Sequence, residues 1–119
     1  MSKKKILVVD DDPDMLISMK SWFHKKGFMV AVTTTCNEAL SKLINFQPDI
    51  ICLDVNVGEE DGRETCLHIK SQAAYQHIPV ILFSANHDYG DSYKHWKADA
   101  FLEKPFSFQQ LTALVQSHL

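Results

Sequence analysis

The sequence predicts an α/β fold: a doubly wound parallel sheet in a single domain, with helices on both faces. Three observations predict it. The runs ILVV at 6–9, IICL at 50–53 and VILF at 80–83 are apolar at consecutive positions, which demands cover on both faces and fits central parallel strands. The intervening segments carry apolar residues at helical spacing. Capping and turn residues stand where strands and helices should meet.

In chain order, the first strand is ILVV, and Asp12 before Pro13 reads as an N-cap with proline at the first helical position. Leu16, Met19 and Phe23 mark the buried face of this first helix, and Gly27 stands where it should close. FMVAV at 28–32 is a weaker second strand, followed by a helix bearing Ala39, Leu40, Leu43 and Ile44. IICL is the third strand, and a less distinct third helix covers about 61–72. VILF is the fourth strand. The fourth helix, about 88–96, falls in HDYGDSYKHW, whose internal glycine and scarcity of aliphatic residues predict a short or loosely held element. AFL at 100–102 is the fifth strand, and Ser107 with Gln110 has the spacing of a capping box opening a last helix on Phe108, Leu111 and Val115. Five strands alternating with five helices imply right-handed crossovers.

Composition narrows the function classes. A chain of 119 residues is one ordinary domain, and a formal charge of −3 gives no electrostatic footprint for nucleic acid or an acidic membrane. The three cysteines, Cys36, Cys52 and Cys66, are far apart and odd in number, which argues against a disulfide framework or zinc site and for reduced thiols in a cytosolic protein. The apolar run after the basic opening MSKKK is too short for a signal peptide, and nothing reaches the length of a membrane span. The six histidines show no ligand spacing and read as surface residues.

The chemistry gathers at strand ends. In a doubly wound sheet, ligands bind outside the carboxyl ends of the strands. Asp10, Asp11 and Asp12 follow the first strand, Asp54 the third, Ser84 the fourth, and Lys104 comes just after the fifth. If the first and third strands are neighbours, Asp10, Asp11 and Asp54 converge, and their mutual repulsion calls for a cation. A hard divalent ion suits oxygen ligands, and Mg²⁺ suits one or two carboxylates with retained waters and a phosphate oxygen. Taken singly, an Asp run caps a helix, an Asp ends a strand in a turn, a Ser is a loop hydroxyl and a Lys is a solvated amine. Asp12 and Asp14 keep that reading. Jointly, carboxylate, hydroxyl and ammonium form a set suited to phosphoryl transfer: nucleophile, hydrogen-bond donor and charge neutraliser.

The stretches ILVVDDDPD, PDIICLDVNVGEEDG, IPVILFSA and ADAFLEKPF, in this order, strongly resemble the receiver domain of bacterial response regulators across essentially the whole chain. The resemblance implies a flavodoxin-like sheet of strand order 2-1-3-4-5. It implies that Asp54 accepts a phosphoryl group from a phosphohistidine, on a sensor histidine kinase or a histidine phosphotransfer protein, or from a small phosphodonor. Asp10 and Asp11 would hold Mg²⁺, Asp11 directly and Asp10 through water, joined by Asp54 and the backbone carbonyl of Asn56. Ser84 and Lys104 would contact phosphoryl oxygens, and the Lys104–Pro105 bond would be cis. Phe101 occupies the position of an aromatic switch residue that fills the space left when Ser84 moves inward; the other reading is a permanent core aromatic. The surface affected would be the fourth helix, fifth strand and fifth helix, which is also one mode of homodimerisation. The implied protein is a cytoplasmic signalling switch and not a turnover enzyme, with no nucleic acid or membrane contact of its own.

Departures from the family pattern fall beside the site. Gly58 replaces the usual proline and Glu60 a common apolar residue, which predicts a mobile loop after Asp54. Trp96 and Lys97 replace small residues, which questions the shape of the fourth helix. Asn56 and Asn86 lie at the two positions that tune acyl-phosphate lifetime in the family. Tyr89, Tyr93 and Trp96 either form an exposed patch or cover the core. A haloacid-dehalogenase-like phosphatase also uses Asp, Ser or Thr, Lys and Mg²⁺, but its nucleophile follows the first strand in a D-x-D motif and it normally needs a cap or a longer chain. A flavin-binding relative fits poorly, because DDDPD sets carboxylates where a phosphate seeks N–H donors. The chain ends at QLTALVQSHL, where a receiver domain ends, which leaves open a stand-alone regulator, a relay intermediate or part of a longer protein.

Overall fold

The computed structural model describes residues 3–119. Five parallel strands, β1 (Lys5–Val9), β2 (Met29–Thr33), β3 (Ile50–Asp54), β4 (Val80–Ser84) and β5 (Ala100–Glu103), form one sheet in the order β2-β1-β3-β4-β5. This is the expected order. Strands β3 and β4 are buried at every position, which is why their sequences are continuous apolar runs with no alternation.

Helices α1 (Pro13–Lys25) and α4 (Phe108–Ser117) cover one face through Leu16, Met19, Phe23, Leu111 and Val115. Helices α2 (Cys36–Asn45) and α3 (Gly62–Lys70) cover the other through Ala39, Leu43, Cys66 and Ile69. The expected caps are present. The Asp12 carboxylate accepts from the amides of Asp14 and Met15, Gly27 turns the chain at φ +94°, and Ser107 and Gln110 cap each other reciprocally. Phe28 does not extend β2; its ring packs edge-on against Phe23, 5.5 Å between centroids.

The fourth crossover departs from an α-helix. Residues His87–Asp91 and Tyr93–Trp96 make two 3₁₀ turns, and Lys97 follows in the left-handed region at φ +63°. Gly90 lowers helix propensity, and it lies so close to the Phe101 ring that a Cβ would stand 3.2 Å from two ring carbons. Tyr89 and Tyr93 are partly buried against the core, so these aromatics cover it.

At the opposite end of the sheet from the acidic strand ends, the Lys70 ammonium is almost fully enclosed. It donates to the carbonyls of Ile78 (2.7 Å) and Gln76 (3.1 Å) and pairs with Asp99 Oδ2 at 2.7 Å. The same Asp99 oxygen accepts from Val80 N at 2.8 Å, so one ammonium joins α3 to the entrances of β4 and β5. Lys70→Met leaves two carbonyls and a carboxylate short of a donor, and is expected to lower unfolding free energy by about 2–4 kcal/mol in urea titration at pH 7. An unchanged midpoint would show the pair to be dispensable.

The three cysteines are buried and unpaired. Burial pushes the Cys52 and Cys66 thiols up to about 12 and also raises that of Cys36, so none is held as a thiolate at neutral pH. Among the described residues no helix is long and apolar enough to cross a membrane.

Candidate functional site

Parallel pairing sets the strand ends side by side. Val9 is in register with Leu53 and Asp54 with Phe83, so Asp10, one residue beyond β1, and Asp54, the last of β3, emerge at one edge. Asp10 is wholly buried and Asp54 nearly so, while Asp11 is exposed. One carboxylate oxygen from each of the three lies within 4.8 Å of the others.

Lys104 reaches in from the turn after β5. Its ammonium donates to Asp54 Oδ2 at 2.6 Å and to Asp10 Oδ2 at 3.0 Å. The backbone positions it: Lys104 N donates to Ser84 O at 2.8 Å, and the bond to Pro105 is cis. The remaining carboxylate oxygens are also held. Asp10 Oδ1 accepts from Asp12 N, Asp54 Oδ1 from Asn56 N, each at 3.0 Å, and Asp11 Oδ2 from Gly58 N at 3.1 Å.

Three carboxylates against one ammonium leave an excess of negative charge, with Asp10 and Asp54 removed from water. At an effective dielectric near 20, two like charges 4 Å apart repel by about 4 kcal/mol. The strain appears at Asp10, whose pKa is pushed up to about 6, first by burial and further by the Asp54 charge, against the pull of Asp12 N and Lys104. Burial also works against the Lys104 ammonium, but the hydrogen bonds it donates to Asp54 and Asp10, with their negative charges, outweigh it and raise its pKa. An all-oxygen donor set with unneutralised charge and one exposed carboxylate fits a hard divalent cation such as Mg²⁺.

Ser84 is buried at the adjacent strand end, where its Oγ accepts from Asn86 N at 3.0 Å. Among the described residues no hydrogen bond joins it to the carboxylates. Phe101 is half-buried beside Leu82, on the face covered by α2 and α3. The structure thus joins Asp10, Asp54 and Lys104 in one hydrogen-bonded network with Asp11 beside it, sets Ser84 and Asn56 at the adjoining strand ends, and leaves Phe101 apart, beside Leu82 and Gly90.

The loop after Asp54, whose composition suggested mobility, is hydrogen-bonded to the rest of the fold. Asn56–Val57 and Glu60–Asp61 pair as a tiny antiparallel hairpin turned by Gly58 at φ +61°. Besides the Gly58–Asp11 bond, Glu60 Oε1 accepts from Cys36 N at 3.0 Å, docking the loop on the N-terminus of α2. Glu60 is polar here because it serves as a cap.

Two features escaped the sequence reading. Gly62 opens α3 directly against Asp54, and any Cβ there would overlap the Asp54 carbonyl oxygen. The Asp61-Gly62 pair is a turn signal that could have marked it. The second is Arg63, which Asp61 grips through Oδ2 to Nη2 at 2.8 Å and Oδ1 to Nε at 3.0 Å, and whose guanidinium stacks on Tyr89 and Trp96. No local pattern announces such a contact.

Comparison with known proteins agrees with this fold. The family model described as "Response regulator receiver domain" matches residues 6–116. Protein PilG of Pseudomonas aeruginosa is 30% identical over 117 residues, covering 97% of this chain and 87% of that protein. The alkaline phosphatase synthesis transcriptional regulatory protein PhoP of Bacillus subtilis is 31% identical over 98% of this chain, which spans only 48% of PhoP's length. The chain likewise spans about half of Response regulator Rre1 of a Synechocystis strain. The chemotaxis response regulator CheY4 of Vibrio cholerae superposes with a TM-score of 0.89 at 25% identity, over 99% of this chain and 100% of that one. With five parallel strands in this order, acidic residues at the ends of β1 and β3, and a family match over nearly its whole length, the chain belongs to the response regulator receiver domain family of two-component systems.

Proposed function

We propose that this chain is a phosphorylation switch whose acceptor is Asp54. The observation that carries the reading is the Lys104 ammonium bridging Asp54 and Asp10, with Asp11 alongside. Such a site holds a nucleophilic carboxylate, a charge neutraliser and the oxygen donors for a divalent ion within one contact network. In the proposed reaction an Asp54 oxygen attacks phosphorus on a phosphohistidine of a sensor kinase or phosphotransfer protein. The P–O bond forms as the P–N bond breaks and the imidazole departs; hydrolysis of the acyl phosphate later restores Asp54.

Each residue has a part. Asp10, Asp11, Asp54 and the Asn56 carbonyl would hold Mg²⁺, which when bound supplies positive charge to the approaching phosphoryl oxygens. Asn56 N fixes the orientation of the Asp54 carboxylate. Lys104 transfers its hydrogen bond from Asp54 to a phosphoryl oxygen, and Ser84 leaves Asn86 N to donate to another. Phe101 then follows Ser84 inward and alters the surface of the 87–96 segment, β5 and α4, where a partner or second copy would bind. Being phenylalanine, it can signal only through packing. The chain catalyses only its own modification, and cytoplasmic residence follows from a kinase partner that uses ATP.

The test is incubation of the purified protein with acetyl phosphate and MgCl₂, followed by intact-mass analysis and peptide mapping. A single phosphoryl group on Asp54, absent when EDTA replaces Mg²⁺, is the expected result. No mass gain, or a gain at another residue, overturns the proposal.

A further inference from the structure

The 87–96 segment is held to the body of the protein in an unusual way. Its backbone hydrogen bonds are local: Tyr89 N to Asn86 O, Ser92 N to Tyr89 O, His95 N to Ser92 O and Lys97 N to Lys94 O. Ala98 N also donates to Tyr93 O at 3.2 Å, and among the described residues these backbone bonds join the segment only to its immediate chain neighbours. Two short 3₁₀ turns have little stability of their own, and the second contains no buried residue. Position must therefore come from side-chain contacts with the rest of the fold.

One set of those contacts leads to the phosphoacceptor loop. The Arg63 guanidinium lies 4.3 Å from the Tyr89 ring centroid and 5.2 Å from that of Trp96, so it joins both 3₁₀ turns at once. Asp61 fixes the guanidinium with two hydrogen bonds and also caps α3 by accepting from Arg63 N at 2.9 Å. Between Asp61 and Arg63 stands Gly62, in direct contact with the Asp54 carbonyl, its amide donating to Val55 O at 2.7 Å. A shift of the backbone at Asp54 or Val55 therefore displaces the residues that aim Arg63.

From this we infer that Arg63 is a positioning residue that clasps the 87–96 segment to the loop carrying Asp54, and so conveys the state of that loop to the segment by a route separate from Ser84 and Phe101. Ser84 reaches the segment's start through Asn86, and Phe101 touches its middle through Gly90. Arg63 grips both turns from the side of α3. The inference rests on the proposed role of Asp54, but the clasp itself exists in the unmodified chain and can be tested there.

Trp96 is a built-in reporter. In a Trp22→Phe background it is the one remaining tryptophan, and its emission is followed while beryllofluoride and Mg²⁺ are added; bound fluoride is counted independently by ¹⁹F NMR. The expected result is a change in Trp96 emission on beryllofluoride binding that is lost in Arg63→Met and partly retained in Arg63→Lys, with ¹⁹F signals of bound beryllofluoride in all three. An undiminished Trp96 response in Arg63→Met with fluoride bound overturns the inference. Absence of bound fluoride in the parent chain instead rejects the role of Asp54. Hydrogen exchange of the unmodified protein decides the clasp in either case: amides of residues 89–97 should exchange at least about tenfold faster in Arg63→Met, with the strand amides unchanged. Equal exchange rates in that segment also overturn it.

Discussion

Lys104→Met should slow phosphorylation of Asp54 by acetyl phosphate about 10²–10³-fold while leaving Mg²⁺ affinity equal or higher. The Lys104 ammonium is charged throughout the physiological range, since its carboxylate partners raise its pKa despite burial. It offers a fixed positive charge next to Asp54, where phosphoryl oxygens would arrive in the proposed reaction. Removing that charge takes away stabilisation that water replaces only in part, because Asp10 and Asp54 are buried. Mg²⁺ and Lys104 answer the same excess of negative charge, so loss of the lysine makes the divalent ion more strongly held, not less. The time course of the mass gain gives the rate, and titration calorimetry gives the Mg²⁺ affinity. A rate within a few-fold of wild type would remove Lys104 from the chemistry. Mg²⁺ affinity falling together with the rate would mean that the variant had merely damaged the site.

The same substitution carries a stability cost without metal. Asp10 and Asp54 would lose their shared counter-charge, and stranding a buried charge costs about 3–5 kcal/mol. The Lys104 side chain keeps 20% of its exposure, so water offsets part of this and a loss of about 2 kcal/mol is expected in urea at pH 7. Added Mg²⁺ should recover much of it, by binding the folded state alone.

Asp10→Asn is expected to act in the opposite sense on stability and to weaken Mg²⁺ binding about 10–100-fold. Asp10 has a folded-state pKa of about 6 against 3.8 for the free carboxyl, so folding disfavours its ionised form. A group shifted upward in this way adds stability that is complete below its unfolded pKa and is lost as the pH rises through its folded one. In the metal-free wild type, stability contributed by Asp10 therefore increases as pH falls from 7 towards 4. The Asn variant lacks this dependence and should be more stable at pH 7 by about 1–3 kcal/mol, with the advantage vanishing near pH 4. Parallel urea titrations at pH 4, 5, 6 and 7 in EDTA measure it. A variant less stable than wild type at pH 7 would show that Asp10 is held in place by its hydrogen bonds more than it is penalised by burial. For wild type, Mg²⁺ affinity should also decline below about pH 6, because the ion must displace a proton from Asp10.

These two substitutions touch one network and will not add. Lys104 is the principal counter-charge of Asp10, so Asp10→Asn should stabilise the Lys104→Met protein more than it stabilises the wild type.

The architecture was legible because each of its signals is local. A consecutive apolar run such as IICL can be satisfied only between two layers, and Asp12-Pro13 or Ser107 with Gln110 can close a helix end without help from distant residues. The acidic cluster was legible for a related reason: once β1 and β3 are parallel neighbours, residues just past their ends must emerge together. The fourth crossover was only half legible. HDYGDSYKHW announced a weak helix, but not that it would form two 3₁₀ turns or that Gly90 would lie against Phe101, a contact between residues on different elements. Glu60 and Gly58 suggested a loose loop because nothing local reveals that Cys36 N and Asp11 wait to receive them.

By itself, then, the order of residues determined the five long strands, four of the five expected helices, the caps of the first and last of them, and the strand ends at which Asp10, Asp11, Asp54, Ser84 and Lys104 stand, since periodicity and capping act over a few neighbouring positions. Tertiary structure alone decided that Lys104 spans two carboxylates, that Lys70 locks Asp99, and that Arg63 seats between Asp61 and two aromatic rings. A charged side chain takes its partner from whatever the folded backbone brings within about 3–4 Å, and that proximity is a property of the whole chain at once.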